Sequence, residues 1–270
     1  MNNSVITNAG AIISQKFLRA NSNDMVGVQN RVSSGLRVAT VTDDASTFAV
    51  AGGLRADVKS YTAIAASLQA AKVLGTVAVQ AGETISKRLE DVKAKVIQLA
   101  DESLGSASRA TYNADLSSMV EEVNGYLEQA NYFGRNLLGT GAASVNVLVV
   151  ANIDASAFTM RAQGVADLAV STITDATSAQ TALSALSDFK SELDTGLANI
   201  GADLKRLDAQ VEFIKQTEET VRIGLGALVD ADMARETAAL QALQVRQQLG
   251  VQAMSIANQA PQTLISLLRG

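Results

Sequence analysis

The sequence predicts a mainly α fold: an elongated antiparallel helical bundle with coiled-coil terminal helices and a small β-hairpin tip. Three observations carry that expectation. From Leu183 to Leu228, large apolar residues recur at alternating steps of three and four, through Leu183, Leu186, Leu193, Leu197, Ile200, Leu204, Leu207, Val211, Ile214, Val221, Leu225 and Leu228, with Lys190 and Glu218 the only intruders. A mean step of about 3.5 residues places the set in one narrow stripe along a helix. At ~1.5 Å per residue that helix is roughly 70 Å long and must lie along something else to cover its stripe. A second stripe supplies the partner: Tyr61, Ile64, Leu68, Ala71, Gly75, Ala78, Gly82, Ile85, Leu89, Val92, Val96 and Leu99 keep the same rhythm. Finally, the 270 residues are 47% hydrophobic but 4% aromatic, with one Pro. Apolar content drawn from Ala, Leu, Val and Ile, with almost no helix breaker, suits long thin helices.

In chain order, Val5 to Val32 reads as a thinly apolar helix. Ile6, Ile13, Phe17 and Ala20 share one side, and Leu18, Met25, Val28 and Val32 a neighbouring one. Ser33-Ser34-Gly35 marks its end, and Thr42-Asp43-Asp44 offers capping side chains for a new start after a short connector. In the second helix, the small residues Ala71, Gly75, Ala78 and Gly82 admit close approach by a neighbour. A third helix follows a break near Gly105 and carries Tyr112, Leu116, Met119, Val123, Tyr126 and Ala130.

The pattern then changes. Gly134, Gly139 and Gly141 punctuate a loop, Val145, Val147 and Val149 alternate as a strand, and Phe158 and Met160 form its partner across Asn152-Ile153-Asp154. The return helix begins near Asp175. Beyond Leu228 its seam slips to Val229, Met233, Leu240 and Leu243, and a last helix runs through Leu249, Met254 and Ile256 to Pro261, which should bend or end it. The tail closes on Leu264, Ile265, Leu267 and Leu268.

The expected organisation is therefore a pair of terminal helices (1–40 and 232–270), a helical bundle (41–139 and 176–231) and a β-containing tip (140–175). Each buried large side chain contributes roughly 1.5–3 kcal/mol, against an ordering cost on the order of 1.5 kcal/mol per residue. The terminal pair is too poor in large apolar residues to close that account alone. It is expected to stay largely disordered in a free subunit and to order when further copies cover Ile6, Ile13, Phe17, Leu18, Met25, Leu249, Met254, Ile256, Leu264, Leu267 and Leu268.

At this point the sequence resembles a bacterial flagellin. The resemblance is carried by Gln29-Asn30-Arg31-Val32-Ser33-Ser34-Gly35-Leu36-Arg37-Val38 and Asp43-Asp44-Ala45, with Ala49 to Ala51 close behind. Tyr112-Asn113 and Phe133-Gly134-Arg135-Asn136-Leu137-Leu138 echo the family's third helix and its ending. Asp230-Ala231-Asp232-Met233-Ala234-Arg235-Glu236 and Ala257-Asn258-Gln259-Ala260-Pro261 resemble its C-terminal signature. The resemblance implies an extracellular filament subunit, exported through the flagellar type III channel without a cleaved signal and polymerising with itself. It also implies an export chaperone, a filament cap and hook-junction proteins as partners. The stretch Leu89 to Gln98 matches the one a Toll-like innate receptor reads in this family. Asp91 stands where a basic residue usually occurs and Lys95 where an apolar one does, so weak recognition is expected.

Other functions find little support. With no His and no Cys, metal-hydrolase motifs and His- or Cys-based nucleophile systems are absent, and no cofactor is expected. A net charge of −5 argues against nucleic acid. No membrane span is expected, because Ala63 to Gly82, the most apolar window, carries Gln69, Lys72, Thr76 and Gln80. Asp43 and Asp44 read as turn and cap residues before they read as a paired acid. Arg31, Arg37, Asp43, Asp44, Asp230, Asp232 and Arg235 are the polar candidates for contacts between copies. A hook–filament junction protein and a surface binding module presenting the 140–175 tip are the alternatives.

Overall fold

In the computed structural model, residues 8–148 and 157–269 are described, the last ten by their backbone alone. The elements, in order, are α1 (Ala9–Ser34), α2 (Ala45–Leu99), α3 (Ser106–Gln129), β1 (Asn131–Tyr132), β2 (Arg135–Asn136), β3 (Val145–Leu148), β4 (Ala157–Met160), α4 (Ala176–Val229) and α5 (Met233–Arg269). The fold is mainly α, as the stripes require. The chain divides into two compact units, 57–219 and 1–56 with 220–270. The boundaries between these units fall inside α2 and α4.

In the 57–219 unit, α2 and α4 run antiparallel. Lys72 pairs with Asp208 at 2.6 Å, and Gly75 and Gly82 face Leu204 and Leu197, so one number rises as the other falls. The small residues do what their size permits: a Cβ on Gly75 would stand 2.7 Å from Met160 Cε and 2.8 Å from Leu204 Cδ2. Leu68, Ile85, Leu99, Leu193, Ile200, Leu207 and Ile214 are fully buried between these helices and their neighbours. By composition and length α2 could cross a membrane, with an 18-residue window of mean hydropathy 1.4, yet its stripe from Ile64 to Leu99 lies within this core. The helix α3 lies antiparallel to α2, with Arg88 on Glu122 at 2.9 Å and Lys95 on Asp115 at 2.6 Å.

Two details of the α4 stripe differ from its reading in sequence. Lys190 is not in the seam: it is exposed and pairs with Asp194 one turn on, at 3.0 Å, while its neighbour Phe189 is buried. Leu228 is 36% exposed and Val229 is buried in its place. A strict 3.5-residue step drifts about 20° per heptad around a straight helix, so no single face can keep every member of so long a list.

The strands β3 and β4 pair antiparallel with Val145 opposite Met160 and Val147 opposite Phe158; their proposed turn, Asn152-Ile153-Asp154, lies outside the described residues. Val147, Phe158 and Met160 face the core. The irregular segment that follows is clipped to α3 by two side-chain amides. Asn124 both donates to the Leu168 carbonyl and accepts from its N–H, at 3.1 and 2.8 Å, and Asn113 does the same for Ile173, at 2.9 Å both ways. Asp203, 1% exposed, accepts from the Arg161 backbone at 3.2 Å and lies within 3.5 Å of the Arg161 and Arg206 guanidiniums, fastening the end of β4 to α4.

The other unit is built on α1 and α5, which also run antiparallel: Asn8 donates to the Ala257 carbonyl, Asn21 to that of Leu243, and Arg31 pairs with Glu236. The first helix ends at Gly35, whose φ of 71° is a conformation glycine adopts freely. Its connector is held by an isolated bridge between Leu36 and Asp230, above a small cluster of Val38, Ala51 and Val229. The last helix is continuous from Met233 to Arg269. Pro261 therefore does not end it.

Candidate functional site

The seam between α1 and α5 follows a heptad rhythm but is filled sparingly. On α1 its half-buried and buried positions include Leu18, Asn21, Met25 and Val28; on α5 they include Glu236, Leu243, Gln247, Gly250 and Met254. Of these only Val28 and Leu243 are buried. Asn21 and Gln247 meet at 3.3 Å inside it, a polar pair of the kind that fixes register at some cost in stability. Leu18 rests against Gly250, where a Cβ would stand 2.9 Å away.

Outside that seam lies a second apolar face that none of the described residues covers. Ile13 is 56% exposed, Phe17 70%, Leu249 57% and Ile256 69%. Ile12, Val26, Val245 and Val251 are also more than half exposed. On α5, Val245, Leu249 and Ile256 repeat at four and seven residues and so share one side of the helix. An open groove of about 300 Å³ beside Phe17 is lined by Ala20, Asp24 and Arg246. Large apolar faces of this kind mark places where another protein surface belongs.

The packing residues expected from sequence therefore split into two sets. Leu18, Met25 and Met254 face the partner helix of the same chain, whereas Ile13, Phe17, Leu249 and Ile256 face outward. Ile6 and the side chains of Leu264, Leu267 and Leu268 lie outside the described residues.

Most of the polar candidates are occupied within the chain. Arg31 Nε binds Glu236 at 3.0 Å, and Arg37 donates to the Leu228 carbonyl at 2.5 Å. Asp43 accepts from the Ala39 and Thr40 backbones and from the Thr40 hydroxyl. Asp44 caps α2, taking the N–H groups of Ser46 and Thr47 at 3.0 Å and the Thr47 hydroxyl at 2.7 Å. These bonds favour the charged carboxylates and hold both below the ordinary range, for Asp43 chiefly through the Thr40 backbone and for Asp44 chiefly through the Thr47 hydroxyl. Asp232 caps α5 through Ala234 and Arg235 N–H. That leaves the Asp230 carboxylate and the Arg235 guanidinium, for which the described residues provide no ion-pair partner. Helix starts and turns consume short acidic side chains, because the first backbone donors of a helix have no partner of their own.

The chain is similar to known proteins along nearly its whole length. The profile of the bacterial flagellin N-terminal helical region matches residues 5–143, and that of the flagellin C-terminal helical region matches 183–268. Flagellin FljK of Caulobacter vibrioides is 33% identical over 99% of both chains, and a flagellin of Brucella melitensis is 34% identical over 99% of both. A flagellin of Listeria monocytogenes is 27% identical over 98% of this chain and 99% of its own. Among solved structures, one described as a flagellar hook-associated protein from Vibrio parahaemolyticus shares the fold, with a TM-score of 0.55 over 70% of this chain and all of its own, at 15% identity.

Proposed function

This chain belongs to the bacterial flagellin family, and on that premise we propose that its outward apolar face on α1 and α5 is what drives it to polymerise. It is a structural subunit of the bacterial flagellar filament and acts outside the cell, in motility. The observation that carries the assembly reading is the exposure of Ile13, Phe17, Leu249 and Ile256 on two helices whose mutual seam buries so little. A seam of Asn21, Gln247 and Gly250 supplies little of the roughly 25 cal/mol per Å² that apolar burial contributes. The terminal pair is accordingly marginal in a lone subunit and becomes firm when copies cover the outward face. Hydrogen exchange on dilute protein tests this: weak protection of α1 and α5 beside strong protection of α2 and α4 is expected, and strong protection of Ile13 or Met254 in the monomer would refute it.

Export through the flagellar type III channel without a cleaved signal suits helices that hold little structure before assembly, and a chaperone that covers the apolar face of α5 would keep it from premature contacts. A cap and hook-junction proteins complete the expected partners. The hook-junction alternative gains nothing from a fold likeness at 15% identity, whereas the relatives matched along their whole length are flagellins. Recognition by the innate receptor is expected to be weak. Lys95 is already engaged by Asp115 and by the Tyr112 ring, 5.1 Å from its ammonium, and Asp91 by Arg88 at 3.5 Å. Full potency in a reporter-cell assay would overturn that expectation.

A further inference from the structure

One aromatic residue in the 57–219 unit is exposed far beyond the rest, and it is held in a backbone conformation that favours another residue type. Phe133 is 88% exposed and has a φ of 50°, followed by Gly134 at 73°. The two form the turn between β1 and β2, where Tyr132 faces Arg135. A two-residue turn with both φ angles positive ordinarily takes Asn-Gly, and a bulky side chain there is strained. Strain kept at an exposed aromatic points to a role for the ring itself. Tyr132, packed on the core, stacks edge-on against it at 4.6 Å and steadies its position.

The same unit carries a cavity that fits such a ring. Between α2 and α4, Leu89, Leu183 and Leu186 floor a space of about 250 Å³, rimmed by Glu90, Lys93 and Lys190; an apolar cavity of about 150 Å³ suffices for benzene. The charges around the two features are complementary. The exposed Arg135 follows Phe133 by two residues, the exposed Glu128 lies at the base of the same hairpin, where its carbonyl accepts from Asn131 and Asn136, and Lys93 and Glu90 line the cavity. None of these four has an ion-pair partner among the described residues. The α2–α3 register set by Arg88–Glu122 and Lys95–Asp115 brings the end of α3 beside residue 81 of α2, about 12 Å along the axis from Leu89. Projection and cavity therefore lie at different levels of one unit, the one on the β1–β2 turn and the other between α2 and α4.

We propose that Phe133 of one copy seats in the Leu89–Leu183–Leu186 cavity of a neighbouring copy, with Glu128 and Arg135 meeting Lys93 and Glu90 at its rim. Such a contact is heterologous: each copy offers a projection to one neighbour and a cavity to another, and the series continues instead of closing. It rests on the filament reading and specifies which surfaces of the 57–219 unit meet.

The chain contains no cysteine, so the contact can be trapped directly. Full-length Phe133→Cys and Ser187→Cys chains, each diluted into unmodified protein, are co-assembled and oxidised. A disulfide between the two variants is expected in polymer, with none when Ser67→Cys replaces Ser187→Cys. In parallel, Phe133→Asn relieves the turn and should not lower the melting temperature, yet should raise the concentration needed for polymerisation by about tenfold. Polymer that forms without the 133–187 disulfide, or a Phe133→Asn chain that polymerises at the unmodified concentration, overturns the docking alone. Failure of the unmodified chain to polymerise at all would overturn the filament reading, and this inference with it.

Discussion

The two antiparallel helix pairs, α2 with α4 and α1 with α5, share a period but not a fate. In the 57–219 unit the heptad positions hold Leu68, Ile85, Leu193, Ile200 and Leu207, and all are fully buried. In the terminal unit the equivalent seam holds Leu18, Asn21, Gln247, Gly250 and Met254, all half-buried, and only Val28 and Leu243 within it are buried. Periodicity decides that two helices can lie together; side-chain volume decides whether the pair is finished inside one chain. The first pair has most of its large apolar residues inside. The second carries Phe17, Leu249 and Ile256 on the outside, uncovered by any of the described residues.

The comparison predicts opposite responses to substitution. Ile200→Ala removes a fully buried side chain and should cost about 2–5 kcal/mol of unfolding free energy, while polymer still forms at low temperature. Leu249→Lys keeps a good helix former on an exposed position and should shift the free chain by less than about 0.5 kcal/mol, yet abolish polymerisation, since each copy would bury a lone ammonium. Urea unfolding and sedimentation of the same two variants check both halves. A Leu249→Lys chain that polymerises normally would break the distinction between the pairs.

A finer test uses two glycines in matching situations. Gly82 lies against Leu197 in the closed seam, and Gly250 against Leu18 in the open one. Gly82→Ala overpacks a filled site and should destabilise by about 1–3 kcal/mol. Leu18 and Leu197 are both half-buried, but Gly82 is buried whereas Gly250 is itself half-buried, so Leu18 has room to swing aside and alanine's helix preference, about 1 kcal/mol over glycine, should prevail at Gly250. Thermal melts should therefore move in opposite directions. If both variants fall together, the terminal seam is as closed as the other.

How far the sequence reveals this molecule follows from the same physics. The α2 and α4 stripes are readable because burial selects for size at a fixed spacing, and the small residues at 75 and 82 announce close approach by their lack of a side chain. The ends of α1 and α2 are readable in Gly35 and Asp44 because those positions demand particular chemistry. Phe189 escapes notice because drift of the 3.5-residue step moves the buried face by one residue, whereas the slip to Val229 is legible in the sequence. Asp203 escapes because nothing local marks a carboxylate that a distant strand will cover. Phe133 appears in the sequence as part of a glycine-punctuated loop, and its exposure and turn geometry emerge only in three dimensions. Arg31 and Arg37 look available from sequence alone because the Glu236 carboxylate and the Leu228 carbonyl that engage them are some two hundred residues away, whereas the capping duty of Asp43 and Asp44 is already legible in their position.

The smallest effect expected concerns acid. Asp43, Asp44 and Asp175 are held below the ordinary value of 3.8 by hydrogen bonds that hold their charged forms, Asp175 chiefly by the Ser178 backbone N–H. A carboxylate whose folded value lies below its unfolded one contributes its full stability above about pH 4 and loses it as pH falls through the folded value. The start of α2, capped by Asp44, belongs to the terminal unit, and that of α4, capped by Asp175, to the other. Acidification from pH 5 to 2.5 should therefore loosen helix starts in both units, and the open unit, with less burial behind it, should respond at the higher pH. Asp44→Asn keeps an oxygen that can accept from Ser46 and Thr47 but has no charge to lose, so its amide exchange at the start of α2 should depend less on pH than the native chain's. An unchanged pH profile in that variant would show that the terminal unit's acid response arises elsewhere than at this cap.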